Sequence, residues 1–236
     1  MCHAEGMTAA SIPVHVVRVF TTDDGRLGNE LGLVESEGAT RGHEQEIAAR
    51  LGFSETVFLD EVGTGAARIR IFTPAAELPF AGHPTVGTAW WLRQRGTPVE
   101  VLRVPAGDVA VRFDGDVAWV TGRASWTPEF EWHDLASAVD VEALEPADFT
   151  SGHHYAWAWM DEGRGILRSR MFAPAFGIAE DEATGAAAVR LTDRLGRDLD
   201  IEQGRGSRIR TRVLDGGFIE VGGRVAQEPG PVFVAL

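Results

Sequence analysis

One pattern in this chain is used twice. Arg68-Ile69-Arg70-Ile71-Phe72-Thr73-Pro74-Ala75 returns as Arg168-Ser169-Arg170-Met171-Phe172-Ala173-Pro174-Ala175. A helix-like stretch follows each copy, beginning at His83-Pro84-Thr85-Val86-Gly87 in the first and Asp181-Glu182-Ala183-Thr184-Gly185 in the second. Gly96 and Gly196 close these stretches, and Asp114-Gly115 and Asp215-Gly216 then mark hairpins. Agreement over such different elements, at an offset of about 100 residues, points to a structural repeat. The expected fold is α+β: two pseudo-symmetric lobes, each a curled, mostly antiparallel sheet or barrel around a central helix. The lobes are placed at residues 1–123 and 124–236, with the final strand free to return to the first lobe. A cleft between the lobes would bring two helix N-termini together, where free amides and aligned peptide dipoles favour a small carboxylate.

What is missing from the chain narrows the chemistry. All 22 Lys+Arg positions are arginine. Without lysine there is no Schiff base, no pyridoxal-phosphate anchor and no Walker phosphate loop. The single cysteine, Cys2, permits no internal disulfide, no cysteine-rich zinc site and no paired-thiol racemase centre. It fits a reducing cytoplasm. A net charge of −13 argues against nucleic acid or an anionic membrane as partner. No run approaches the ~20 apolar residues of a membrane span, and the start lacks a secretory pattern. Residues 1–10 read as a ragged, mobile beginning, with Met7 a second candidate initiator.

Apolar periodicity gives the element order. Residues 14–20 form a β-branched strand ending in the turn material Asp23-Asp24-Gly25. Residues 44–51 carry Ile47, Ala48 and Leu51 on one helical face and stop at Gly52. Strands follow at 54–59 and 68–72, then an enclosed apolar helix over 86–92 and a meander at 99–104, 109–113 and 117–121. The second half repeats the order with strands at 155–160 and 167–172, a helix at 184–195, and strands at 209–213 and 218–221. Residues 124–150 mix aromatic and acidic residues without a clear period. Trp90-Trp91 and Trp157-x-Trp159 read as core. His153-His154 does not read as a metal site, because adjacent strand residues point to opposite faces, and no third ligand is evident.

These segments resemble those of the phenazine-biosynthesis PhzF-like isomerases, relatives of the diaminopimelate epimerases. The resemblance is carried by Val19-Phe20-Thr21 with Gly28-Asn29, by Gln45-x-Ile47-Ala48 and by Ser54-Glu55-Thr56-Val57-Phe58. Phe72-Thr73-Pro74 and Leu78-Pro79-Phe80-Ala81-Gly82-His83-Pro84 extend it. Arg170-Met171-Phe172-Ala173-Pro174, the run from Gly177 to Gly185, and Gln203-Gly204 complete it.

The resemblance implies a cofactor-independent isomerase acting on a small carboxylic acid, with no metal and with a homodimer suggested. It assigns proton transfer to Glu55 and places His83 and Asp181 at the two helix starts facing the substrate. Gly82 and Gly185 match glycines that let amides approach a ligand, with Thr184 and Ala186 beside them. The chemistry is reasonable in its own right: a carboxylate desolvated toward a neutral pKa can take a proton from carbon and return it to a nearby atom. Helix-terminal amides can hold the developing charge, and His83 is of the residue type that shuttles protons near neutrality.

Three positions depart from the family pattern. Asn29 is followed by Glu30 where proline is usual, and Glu182 and Ala186 stand where Asp-Pro-Ala-Thr-Gly-Ser would have proline and serine. A second reading is therefore a catalytically drifted small-acid binding module. A third, a two-base epimerase, lacks the thiols.

Overall fold

The computed structural model describes residues 11–236, the side chain of Phe176 excepted. Residues 1–10, with Cys2 and Met7, lie outside the described residues. The first half opens with β1 (Ser11–Thr21) and β2 (Asn29–Glu35), followed by α1 (Glu44–Leu51), β3 (Glu55–Val62), β4 (Gly65–Phe72) and the short β5 (Glu77–Leu78). Then come α2 (Gly82–Gln94), β6 (Val99–Val104), β7 (Gly107–Asp114) and β8 (Val117–Gly122). Helix α1 stops where the sequence signals it, because Gly52 takes the left-handed conformation at φ 69° and its N–H closes on the Ala48 carbonyl. Glu44 and Glu46 in its first turn and Arg50 in its last suit the helix dipole.

The second half contains β9 (Glu131–Asp134), α3 (Ala138–Glu142), β10 (His154–Asp161), β11 (Ile166–Ala173) and β12 (Ile178–Asp181). It continues with α4 (Gly185–Leu195), β13 (Leu199–Gln203), β14 (Ser207–Val213), β15 (Ile219–Gln227) and β16 (Val232–Ala235). The run β2–α1–β3–β4–α2–β6–β7–β8 is thus repeated as β9–α3–β10–β11–α4–β13–β14–β15. Most pairings are antiparallel, but β2–β3, β4–β6, β9–β10 and β11–β13 are parallel. Parallel neighbours need a crossover, and each of the four helices supplies one. Residues 124–150 were hard to read because their elements are short: β9 and the single turn of α3, whose start Ser137 caps by accepting from the Asp140 amide at 3.3 Å.

The halves close differently. Strands β1, β2, β3, β4, β6, β7 and β8 form a ring that β15 completes by pairing with both β8 and β1, giving a closed barrel of eight strands. The second sheet, β15–β14–β13–β11–β10–β9, ends at β9, with no further pairing described beyond that strand. Helix α2 fills the barrel and is buried along Gly82, His83 and onward to Ala89, then again at Trp91 and Leu92. Each such large apolar side chain withdrawn from water contributes ~1.5–3 kcal/mol. Helix α4 buries Ala187, Ala188, Val189 and Leu191 but turns Arg194 outward, where it meets Asp134 at 3.0 Å. The expectation of a curled sheet or barrel around one helix holds in both halves, closed in the first and open in the second, where Asp193 and Arg194 face solvent. Trp91 and Trp157 are buried, as expected for core, whereas Trp90 and Trp159 are half-buried.

Candidate active site

Helices α2 and α4 start against each other. An added Cβ on Gly82 would lie 2.9 Å from the Gly185 Cα, and one on Gly185 would lie 3.0 Å from the Gly82 Cα. Only glycine permits this approach, since backbone cannot swing aside as a side chain can. Neither helix has a side-chain cap: Ala81 precedes α2, Thr184 precedes α4 without bonding a helix amide, and neither first turn holds an acid. The leading amides of both helices, those of Ala186 and Ala187 among them, are left without side-chain acceptors at one spot. Asp181 is therefore not the helix cap that its residue type favours; α4 begins four residues later.

Glu55 and His83 form the first-lobe part of the site. Glu55 opens β3, and its Oε2 lies 3.3 Å from His83 Nε2 on the first turn of α2. The side chains are 17% and 5% exposed. Both facing atoms are shielded from water, and neither has a hydrogen-bond partner of good geometry. The residual exposure of Glu55 therefore belongs to the rest of its side chain, at the rim. Burial, with the Asp181 charge adding to it, raises the Glu55 pKa to about 8. Burial lowers that of His83 to about 3, against an opposing hydrogen bond to the Glu30 backbone. At neutral pH the contact is thus a carboxylic acid beside a neutral imidazole, not an ion pair. Because Nε2 has no partner, the bond to Glu30 falls to Nδ1–H, which leaves the Nε2 lone pair facing Glu55.

The second-lobe part is saturated with hydrogen bonds. Asp181 Oδ1 accepts from Asn29 Nδ2 at 2.6 Å, and Asp181 Oδ2 accepts from the Thr184 hydroxyl. Burial raises the Asp181 pKa to about 6, with Thr184 and Asn29 holding it down and Glu182 and Glu180 adding to the rise. Gln203, fully buried, donates through Nε2 to the Asp181 carbonyl at 2.9 Å and to Thr184 Oγ1 at 2.8 Å. Its Oε1 accepts from the Thr184 amide at 3.1 Å and the Tyr155 hydroxyl at 3.2 Å. All seven residues singled out in the sequence meet here. His83, Gly82 and Gly185 are buried at the floor, while Glu55, Asp181, Thr184 and Ala186 are half-buried around it. Asn29, Gln203 and Tyr155 were not assigned a role; Asn29 and Gln203 stood in recognised segments, but nothing local signals which carboxylate they hold. Among the described residues no group of three or more His, Cys, Asp or Glu could hold a metal. Among the same described residues, no helix is long and apolar enough to cross a membrane.

The model of the family described as phenazine biosynthesis-like protein (PhzC-PhzF) matches residues 17–159 and 135–225. The chain belongs to that family. Its class is that of the isomerases, the designation shared by its curated relatives. The trans-2,3-dihydro-3-hydroxyanthranilate isomerase of Pseudomonas chlororaphis is 35% identical, with 75% of each chain covered. The uncharacterized isomerase YddE of Escherichia coli K12 is 42% identical over 74% of this chain and 75% of its own. A PhzC/PhzF protein from Clostridium difficile superposes with a TM-score of 0.74 at 19% identity, covering 95% of this chain and 99% of its own. A hydroxyproline epimerase from Agrobacterium vitis, with bound trans-4-hydroxy-L-proline, shares the fold at a TM-score of 0.61 and 12% identity, covering 96% and 93%.

Proposed function

We propose that the protein moves a proton on a small carboxylic acid held between the lobes, without metal or organic cofactor, and that Glu55 carries the proton. The observation behind this reading is the unsatisfied Glu55–His83 pair beside two uncapped helix starts. A buried carboxyl oxygen and imidazole nitrogen left without partners cost stability, and a fold retains such a cost where chemistry uses it. The substrate carboxylate would lie on the free amides of α2 and α4. The ionised fraction of Glu55, about one in ten at pH 7 for a pKa of about 8, takes a proton from carbon and returns it to a second atom of the same molecule. Amides already in place stabilise the charge that develops meanwhile. The lone pair of His83 accepts the Glu55 proton or relays it. Asp181, fixed by Asn29 and Thr184, lines the opposite wall. The reading includes a cytoplasmic setting and a homodimer, the latter open to analytical ultracentrifugation.

The test is loss of C–H signal in heavy water, followed by NMR on a panel of small cyclic and amino carboxylic acids. At least one acid should exchange with the native protein, and Glu55→Gln should slow it ~10²–10⁴-fold while binding persists. Undiminished exchange in Glu55→Gln removes Glu55 from the mechanism. Binding of an acid without exchange by the native protein favours the drifted binding module, a reading motivated by Ala186.

A further inference from the structure

Glu182 departs from the family pattern, and the proton chemistry above does not use it. Its carboxylate is 14% exposed, and the Arg205 guanidinium Nε donates to it at 3.0 Å. The Arg205 amide donates to the same group at 3.1 and 3.2 Å, and the Ser207 hydroxyl at 2.8 Å. Ser207, fully buried, in turn accepts from the Gly28 amide at 2.9 Å. The next residue, Asn29, holds Asp181 and also donates to the Ala183 carbonyl at 2.8 Å. Gly204, at φ 61°, completes the fit: a Cβ there would lie 2.6 Å from the Glu182 carbonyl oxygen and 2.8 Å from its carboxyl carbon.

Two consecutive residues of the first lobe, Gly28 and Asn29, are thus fastened to three consecutive residues of the second, Asp181 to Ala183. We infer that Glu182 is a positioning residue that aims Asp181 into the site: through Ser207 it fixes Gly28, and so fixes the Asn29 amide on the Asp181 carboxylate. A proline at 182 could limit local backbone freedom but could not make this connection across the lobes. Three donor groups converge on one carboxylate, which makes the clamp strong for a contact at the rim. The inference rests on Asp181 being a site residue, but its test needs no substrate.

The readout is NMR on the full chain with labelled Asn and Asp. The Asn29 side-chain amide is followed by its exchange with solvent, and the Asp181 carboxyl by its titration. Asn29→Asp and Asp181→Asn assign the two signals. In native protein the Asn29 amide is protected. In Glu182→Ala and Ser207→Ala that protection should fall about tenfold, the order one hydrogen bond provides. Ser207→Ala removes only a hydroxyl and guards against Glu182→Ala failing to fold. In Glu182→Gln, whose amide oxygen still accepts from Arg205 and Ser207, protection should be retained. The Asp181 midpoint should then fall, because the neighbouring negative charge is gone. The other groups facing Asp181 are Glu55, Tyr155 and Glu180, the last held by Arg170 at 2.7 Å, and none of them is altered. Native protection in both Glu182→Ala and Ser207→Ala overturns the inference, as does protection lost equally in Glu182→Gln. Absence of proton exchange on any acid would instead count against the proposed function and leave the clamp standing.

Discussion

In the first lobe eight strands close around α2, and the site groups it presents, Glu55 and His83, face each other without hydrogen bonds. In the second the sheet stays open around α4, and its site group, Asp181, is bonded on both oxygens. The same run of elements therefore surrounds its polar groups in opposite ways. A closed barrel buries most of its helix, so it can keep the facing Glu55 Oε2 and His83 Nε2 away from water without partners and shift both groups toward neutrality. An open sheet cannot seal a site, and here it contributes a fixed wall through the bonds of Asn29, Thr184 and Gln203. The proposed function would divide reactivity and rigidity between the two copies of a single repeat.

The strongest way to break the comparison is at Glu55. Its folded pKa of about 8 lies above the ordinary value of 4.5, so the folded state binds the extra proton between those limits. The contribution of this group to stability is therefore lost as pH rises from 4.5 toward 8 and is missing from Glu55→Gln, whereas the contribution of Asp181, raised to about 6, is common to both proteins. Both states of His83 are neutral above its ordinary 6.5, so it adds nothing to the slope there. Glu55→Gln should raise the melting temperature relative to native, little at pH 5 and most near pH 8.5, by a few kcal/mol in stability. An equal shift at both pH values would show that Glu55 is not a strained, proton-holding group.

His83→Ala probes the same pair from the other side. If His83 relays the Glu55 proton, the exchange rate should fall ~10²-fold, and a glutamine at 83 should not restore it. Full activity in His83→Ala would leave Glu55 acting alone and confine the reactive function to one side chain.

Where the lobes meet, Gly82→Ala sets a Cβ against the Gly185 backbone at 2.9 Å. The cost should be ~1–3 kcal/mol by chemical denaturation, the range for overpacking a site that cannot yield. A neutral result would mean that the helix starts are free to separate. The smallest effect belongs to the open lobe. Arg194→Ala removes an ion pair whose side chains are 43% and 49% exposed, and stability should change by less than ~0.5 kcal/mol. A larger loss would show that α4 depends on its outer face as α2 depends on burial.

Much of this was legible along the chain because the signals are local. Gly52, Gly96 and Gly196 end helices through a conformation that glycine adopts freely, and alternation of Val, Ile and Phe marks strands whatever their partners. The repeat places a helix start twice, and so brings Gly82 and Gly185 into question together. Glu55, His83 and Asp181 could be named because each sits in a distinctive segment. The sequence determined the elements, their duplication and the candidate groups, since these follow from propensity and short-range pattern.

Tertiary structure decided the rest. That β15 closes the first barrel while the second sheet stops at β9 depends on pairing between residues about 200 apart in the chain, Val17 with Gln227 among them. That Glu55 titrates high and His83 low is set by exclusion of water and by the Asp181 charge reaching in from the other half. The partners of Asn29, Glu182, Gln203 and Ser207 lie between 19 and 179 residues away in sequence, each on a different element. Hydrogen bonds and desolvation depend on distance in space, and the chain encodes that distance only once it has folded.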